Sequence, residues 1–458
     1  MRVHKAMVAT GAAMVLALSA CSGGGGSDLG DAVKDETADK GLEVVGEAVT
    51  WDPNQLVNEG EPIVLEWWLW GFDAESQAIA DAYQEIHPNV DIQVVVQPWE
   101  DFWTKLPLEL QGKNGPAIFN VHNSQHDNLI ENMAPYDIEI DDLRADYANV
   151  DAHVIDDEVY YIDFGLMTGS IFYNTDMWAE AGLTDADIPV TWDELRDVAK
   201  KLTVAEGDSI TQAGFNFNGQ YNAFQAGLAY QLGQNMFAAD LTTPDVDNDA
   251  NLEVIQRFLD IYADGSGNKD FGAATDTFGQ GQTAMIYSWG HFGGTLATDF
   301  PDLAWSTFQT PVPDATEAPY ALDRTNGEST IGINKNASAE EQAVAQDFLR
   351  YYLTNTELMK EMCLALGVLP TYGPLAADPE IVASPVLQSF GDIDSYIWPG
   401  PFPAAFETNT TTMWEDILYN GVAPEAALEN AQAAISTDVE SSSFVSLESL
   451  YPGYQVRD

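Results

Sequence analysis

Positive charge is what this chain most lacks. Its 458 residues hold 17 Lys and Arg against 73 Asp and Glu, a formal net charge of −56 at pH 7. A field of that sign repels nucleic acid and is a poor host for anionic ligands. We read it as a surface adaptation to salt or to an acidic habitat, because salt screens such self-repulsion with a Debye length of roughly 3 Å at 1 M. Cysteine is almost absent too, with only Cys21 and Cys363. Cys363 sits in a helical stretch, Glu357 to Leu364, and reads as a buried, inert thiol. The six histidines form no HExxH pair; His122 and His126 could share a helical face but have no third ligand nearby, so no metal is expected. There is no GxSxG, no Walker loop and no GxGxxG, and no cofactor is expected. No apolar run is long enough for a membrane helix, which needs about 20 residues.

What the chain does have begins at its start. Arg2, His4 and Lys5 precede an apolar run from Ala6 to Ala17, and Leu18-Ser19-Ala20-Cys21 follows. Basic, then apolar, then small residues before a cysteine reads as a signal peptide over 1–20, whose removal exposes Cys21 for lipid attachment. Ser22 to Ser27, nearly all glycine, suits a flexible tether that lets a body float above a membrane. Tether and irregular extension are expected over 21–61, with Trp51 and Leu56 packing back onto the body. With Cys21 lipidated, no internal disulfide can form.

The body is too long for one simple core and predicts two lobes. A buried strand is expected over 63–71, a helix over 74–87 ended by Pro88, and a strand over 90–96. A helix near 99–111 and a strand over 117–122 follow. This alternation implies a parallel sheet with right-handed crossovers, in which ligands bind at the carboxyl ends of the strands. Further strands are expected over 170–174, 283–289 and 330–334, and helices from 192, over 250–262 and over 339–353. Thr191 with Glu194 forms a capping-box pattern. Asp245 to Asn251 opens like a calcium loop, but Ala250 and Gln256 replace its Gly and Glu. It reads as a solvated turn capping the next helix.

Several ordered motifs then point one way. They are Glu85-Ile86-His87-Pro88-Asn89-Val90, then Phe172-Tyr173-Asn174-Thr175-Asp176 with Ala181-Gly182-Leu183, then Pro189 with Thr191-Trp192-Asp193-Glu194-Leu195. Ala284-Met285-Ile286-Tyr287, Ile331-Gly332-Ile333-Asn334 and Gly367-Val368-Leu369-Pro370 complete the series. In this order the chain resembles the extracellular solute-binding proteins that deliver sugars to ABC importers, the group that includes maltodextrin-binding protein. The resemblance implies an α/β fold of two lobes, type II, closing on a ligand through a hinge crossed several times. It implies a first lobe of 62–165 plus 325–366 and a second of 166–324 plus 367–458. It also implies a neutral carbohydrate ligand, a permease partner, a monomer and no enzyme activity.

A sugar offers hydroxyls and a patch of C–H, so its site needs aromatic faces and paired polar groups. Sheet logic and the resemblance together mark Trp70 and Asp73, Trp99 and Glu100, and His122, Asn123 and Ser124 in the first lobe. Asn216 and Asn218, Trp289 and His291, Asn326 and Glu328, and Trp398 are marked across the second lobe and the crossings. Trp289 is the favoured stacking platform. Trp67, Trp68, Trp178 and Trp192 read as packing residues. Two other readings stay open. A glycosidase would need two carboxylates ~5 or ~6.5–9.5 Å apart, and abundant acids leave that possible. A polyamine would suit the negative field. Cys21→Ala is expected to shift the exported protein from the membrane to the soluble fraction; unchanged membrane retention, scored by fractionation, would sink the anchor reading.

Overall fold

A computed structural model of the chain describes residues 40–455, apart from 114, 208, 401 and 441–443. Cys21 and the whole leader lie outside the described residues.

The first half follows the sequence pattern closely. Strand β1 (Ile63–Leu69) turns Leu65, Trp67 and Leu69 to one buried face, the two-residue period of a strand. Helix α1 (Asp73–Ile86) buries Ile79, Ala80 and Tyr83 as one stripe. Strand β2 (Val90–Val96), helix α2 (Trp99–Glu109), strand β3 (Ile118–Asn120) and strand β4 (Met133–Ala134) follow.

The next strand is longer than expected. Strand β5 spans Asp163–Asn174, 12 residues that are all buried. Sequence patterning marks only its end from Ser170, because Asp163, Gly165 and Gly169 dilute the strand composition of its first half. Pairing on both sides supplies what propensity lacks. In the second half come helices α3 (Trp192–Leu202), α4 (Tyr221–Gln231) and α5 (Asp249–Ala263), then strand β6 (Met285–Trp289), helix α6 (Phe292–Asp299) and strand β7 (Trp305–Gln309). The chain returns through β8 (Thr325–Ser329) and β9 (Ile331–Asn334), then α7 (Ala339–Thr354), α8 (Thr356–Leu366) and β10 (Leu369–Pro370). Helices α9 (Ala404–Glu415) and α10 (Pro424–Val439) close it. The Thr191–Glu194 capping box is formed, and Asn248 caps α5 where a capping turn was expected.

Two sheets result. The first has the order β2-β1-β3-β9-β4; β1, β2 and β3 run parallel, while β9 runs antiparallel to β3 and β4. It is therefore mixed, since the late return of β9 adds a reversed strand. The second is built around β5. Strands β6 and β7 flank its last half, and β8 and β10 flank its first half, all antiparallel. Aromatic contacts fill both cores. Phe348 meets Trp67 and Tyr83 with ring centroids 5.5 and 5.1 Å apart in the first. Phe224 stacks on Phe258 at 3.9 Å in the second. Each such pair adds about 0.5–1.5 kcal/mol beyond its buried area. The first apolar cluster also takes in Phe292, Leu296, Val386 and Phe390, so packing as well as β5 joins the lobes.

The extension before β1 is half as expected. Trp51 is buried, its indole N–H donating to Asp347 at 3.1 Å. Leu56 is 46 % exposed and does not pack back; the apolar gap there is filled by Val57 instead. Of the paired tryptophans on β1, Trp67 is in the core and Trp68 is half-buried on the opposite face, its indole N–H donating to Glu66. Trp178, Trp192 and Cys363 are buried as expected, and burial pushes the Cys363 thiol up, away from the reactive thiolate.

Gly169 on β5 lies against Tyr287 of β6. A Cβ there would stand 1.8 Å from the phenol oxygen, and that phenol is held by Asp323 at 2.7 Å. Gly169→Ala is expected to destabilise the fold by about 1–3 kcal/mol through overpacking. Chemical denaturation measures it, and a loss below about 0.5 kcal/mol would show that β5 and β6 can separate freely.

Candidate functional site

Parallel strands bring their carboxyl ends to one side, and three of them build an aromatic cluster there. Trp70 follows β1, Trp99 opens α2 just after β2, and His122 follows β3. Trp70 lies 5.3 Å from Trp99 and 6.1 Å from His122, and Trp99 lies 5.2 Å from His122. Trp103, one turn beyond Trp99, closes the group at 5.1 Å from both Trp70 and Trp99. Sequence reasoning missed Trp103, although its four-residue spacing from Trp99 on a helix was the available signal. Its indole N–H is buried without a hydrogen-bond partner among the described residues. Trp99 is 39 % exposed and offers the open face of the group. Burial lowers His122 to about 4 despite the opposing pull of Asp163, so the ring is neutral near pH 7.

Asn123 is buried and ties the lobe together. Its amide donates to the Gly327 carbonyl at 2.8 Å and its oxygen accepts from Ser329 at 3.1 Å. This positions β8, which carries Asn326 and Glu328. Asn326 is half-buried opposite Met167 of β5. The Glu328 carboxyl is half-buried, with no hydrogen-bond partner among the described residues. It lines a small enclosed cavity of about 20 Å³ with Trp67, Trp70, Phe72, Phe164 and Tyr352. The side chains of Glu100 and Ser124 lie outside the described residues.

A wider groove of about 710 Å³ opens beside that cavity, between the start of α1 and helix α6. Asp73 and His291 are both exposed and both line it, with Glu75, Thr295 and Asp299 also on its walls. No Lys or Arg lines it. A third hollow of about 240 Å³ lies where Trp398, Tyr396 and Tyr451 approach Ala148, Asn149 and Leu166. Trp398 is largely buried there, 5.3 Å from the His153 ring.

The remaining second-lobe candidates have internal tasks in this conformation. The Trp289 ring is covered by the Arg324 guanidinium at 4.7 Å, which also sits 5.2 Å from Phe402. One face of the favoured platform is thus occupied by a cation–π contact. Asn216 is buried; it donates to Gly272 and Thr277 and accepts from Asn218 and Tyr262. Asn218 donates to the carbonyls of Asn268, Lys269 and Gly272. These two side chains pin the turn before α4, and the polar spacing that suggested ligand contact here serves loop closure.

The model of the family described as bacterial extracellular solute-binding protein matches residues 71–358. The chain belongs to that family. Trp70 falls just before the matched span and Trp398 well beyond its end, and the other ligand candidates fall inside it. The chain is 23 % identical to a maltotriose-binding protein from Pyrococcus abyssi over 335 residues, 70 % of this chain and 69 % of that one. It is 24 % identical to the diacetylchitobiose-binding protein DasA of Streptomyces coelicolor, over 62 % of this chain and 67 % of that one. Among solved structures it resembles a maltose/maltodextrin-binding domain from Bdellovibrio bacteriovorus. That likeness has a TM-score of 0.67 at 19 % identity, covering 82 % of this chain and all of that one. A cyclic maltosyl-maltose-binding protein from Arthrobacter globiformis gives a TM-score of 0.65 at 22 % identity, covering 83 % of this chain and all of that one. At those identities the likeness establishes the type II two-lobed fold.

In this solute-binding chain Glu328 carries a pH signature. Burial and the Asp163 carboxylate push it up to about 8. Between its ordinary value of 4.5 and about 8, the folded chain holds a proton that the unfolded chain has lost. The stability this brings is complete below about 4.5 and disappears as pH rises to about 8. Glu328→Gln is expected to gain stability relative to the parent steadily across that window. Denaturation midpoints at about pH 5, 6.5 and 8 measure it; a difference independent of pH would show Glu328 ionising freely.

Proposed function

We propose that this chain is the exported, lipid-anchored receptor of an ABC importer and that it captures a carbohydrate without anionic groups. The observations that carry this reading are the cluster of Trp70, Trp99, Trp103 and His122 at the strand ends and a groove with Asp73, Glu75, Asp299, Thr295 and Thr298 on its walls and no Lys or Arg among the described lining residues. Aromatic faces accept sugar C–H, and a neutral His with Asp and Thr side chains meets hydroxyls. The relatives above bear names for maltotriose, maltodextrin and diacetylchitobiose ligands, which agrees with a saccharide of one to a few rings.

The lobes are assigned to 62–165 plus 325–366 and to 166–324 plus 367–458. The crossings lie near Phe164-Gly165 on β5, Thr325-Asn326 on β8 and Leu366-Gly367. Mechanistically, the open form takes up sugar, and contacts made only when the lobes close shift the hinge equilibrium. The permease then reads the closed shape as it takes a monomeric receptor held at the outer membrane face through Cys21. No bond in the solute is made or broken. A micromolar dissociation constant, about −8 kcal/mol, is within reach of a few stacked rings and hydrogen bonds.

Intrinsic tryptophan fluorescence reports the test. Mono-, di- and oligosaccharides are titrated into the protein, with spermidine and phosphate as controls. A saturable micromolar response to one saccharide class is expected, and Trp99→Ala is expected to weaken it roughly tenfold, about 1.4 kcal/mol. Silence for every saccharide with a response to spermidine or phosphate would overturn the carbohydrate reading while leaving the fold untouched.

A further inference from the structure

The small cavity behind the groove is shaped for one particular group. At about 20 Å³ it has room for a single water-sized group and none for a sugar ring. Five aromatic side chains, Trp67, Trp70, Phe72, Phe164 and Tyr352, form part of its walls. Two polar side chains face this lining without satisfied oxygens. One is the Glu328 carboxyl, without a hydrogen-bond partner among the described residues. The other is the Ser76 hydroxyl, 1 % exposed and equally without a partner. An unpaired buried hydroxyl costs free energy unless something fills the space beside it. The Asn120 oxygen, already accepting from Trp67 at 2.8 Å, is a third acceptor on the same wall.

Phe72 and Leu366 line both this cavity and the 710 Å³ groove. A ring held in the groove can therefore project one small substituent inward between them. We propose that this cavity is a subsite for the ammonium group of an amino-bearing saccharide, with Glu328 as its counter-ion and Ser76 as a second acceptor. The proposal rests on the carbohydrate reading above and adds one amino group to that otherwise uncharged ligand.

An ammonium has three donors and no acceptor, which complements a pocket whose free polar atoms are oxygens. A hydroxyl has one donor and carries no charge to pair with the carboxylate that forms when Glu328 releases its proton to solvent. Aromatic faces attract a cation electrostatically, and more strongly once it is desolvated. The surrounding charges agree. Asp163, held by His153 at 3.0 Å, is a second acidic group close enough to raise Glu328, while His122 is neutral near pH 7. Tyr352 is kept as the neutral phenol by burial. No Lys or Arg lines the cavity to compete. In the empty protein the carboxyl holds its own proton up to about pH 8, and an arriving ammonium takes the place of that proton.

Isothermal calorimetry on the full chain compares glucose, glucosamine and N-acetylglucosamine, and then cellobiose, its di-amino counterpart and diacetylchitobiose, at about pH 6.5. The free amine is expected to bind roughly tenfold or more tighter than its hydroxyl and acetamido analogues. Glu328→Gln is expected to erase that preference, with a cooperative thermal unfolding transition showing that the variant folds. Ser76→Ala is expected to reduce the preference in part. A hydroxyl or acetamido sugar bound as tightly as the amine would overturn the subsite and leave the carbohydrate reading standing. So would an amine preference that survives Glu328→Gln. No response to any saccharide would sink both.

Discussion

Everything in this protein hangs on one buried strand. Asp163–Asn174 pairs along both flanks, with β8 and β10 on its first half and β6 and β7 on its last half. Its first half is clasped by the returning chain and its second half by the core of the second lobe. The closeness of that clasp requires glycine at defined places. A Cβ on Gly165 would stand 2.4 Å from Val368, and one on Gly327 would stand 2.0 Å from the Asp163 carboxylate. The hinge is therefore a closely packed seam, with glycine where the segments approach most tightly.

The acid excess divides into two populations with opposite physics. Most carboxylates face solvent, where salt screens their repulsion. A few are buried and do local work. Glu448 accepts from the Met236 and Phe237 amides at 2.6 and 3.2 Å and from the Tyr230 hydroxyl at 2.6 Å, fastening the chain end to the second lobe. Asp323, pushed up to about 7 by burial, accepts from Tyr287, Thr310 and the Arg324 amide. Glu328 differs from both because it is half-buried against the cavity with no such donor among the described residues. A carboxyl held that way is costly unless a ligand or a proton completes it.

Scarcity of positive charge shapes the second lobe as well. Arg324 is 6 % exposed, and its guanidinium lies against Trp289 and Phe402 with one amide-carbonyl contact, to Asn222 at 2.8 Å. A cation there spends the face of Trp289, so the aromatic surface left open gathers in the first lobe around Trp99.

Local patterning made much of this legible. The period-two run at Ile63–Leu69, the stripe on α1, the Thr191–Glu194 box and the parallel alternation of the first lobe all depend on neighbours in sequence, and they stand where the pattern puts them. The same logic placed Trp70, Trp99 and His122 together, because parallel strands end on one side. By itself, then, the sequence determined an acidic, two-lobed α/β chain with strand-end aromatics. Tertiary structure alone decided which polar groups are free. Asn216 and Asn218 found carbonyls fifty residues away, Arg324 found Trp289, and Ser76 and Glu328 found nothing. Those outcomes depend on contacts between distant segments, and hydrogen-bond satisfaction is a property of the packed whole that no stretch of sequence contains.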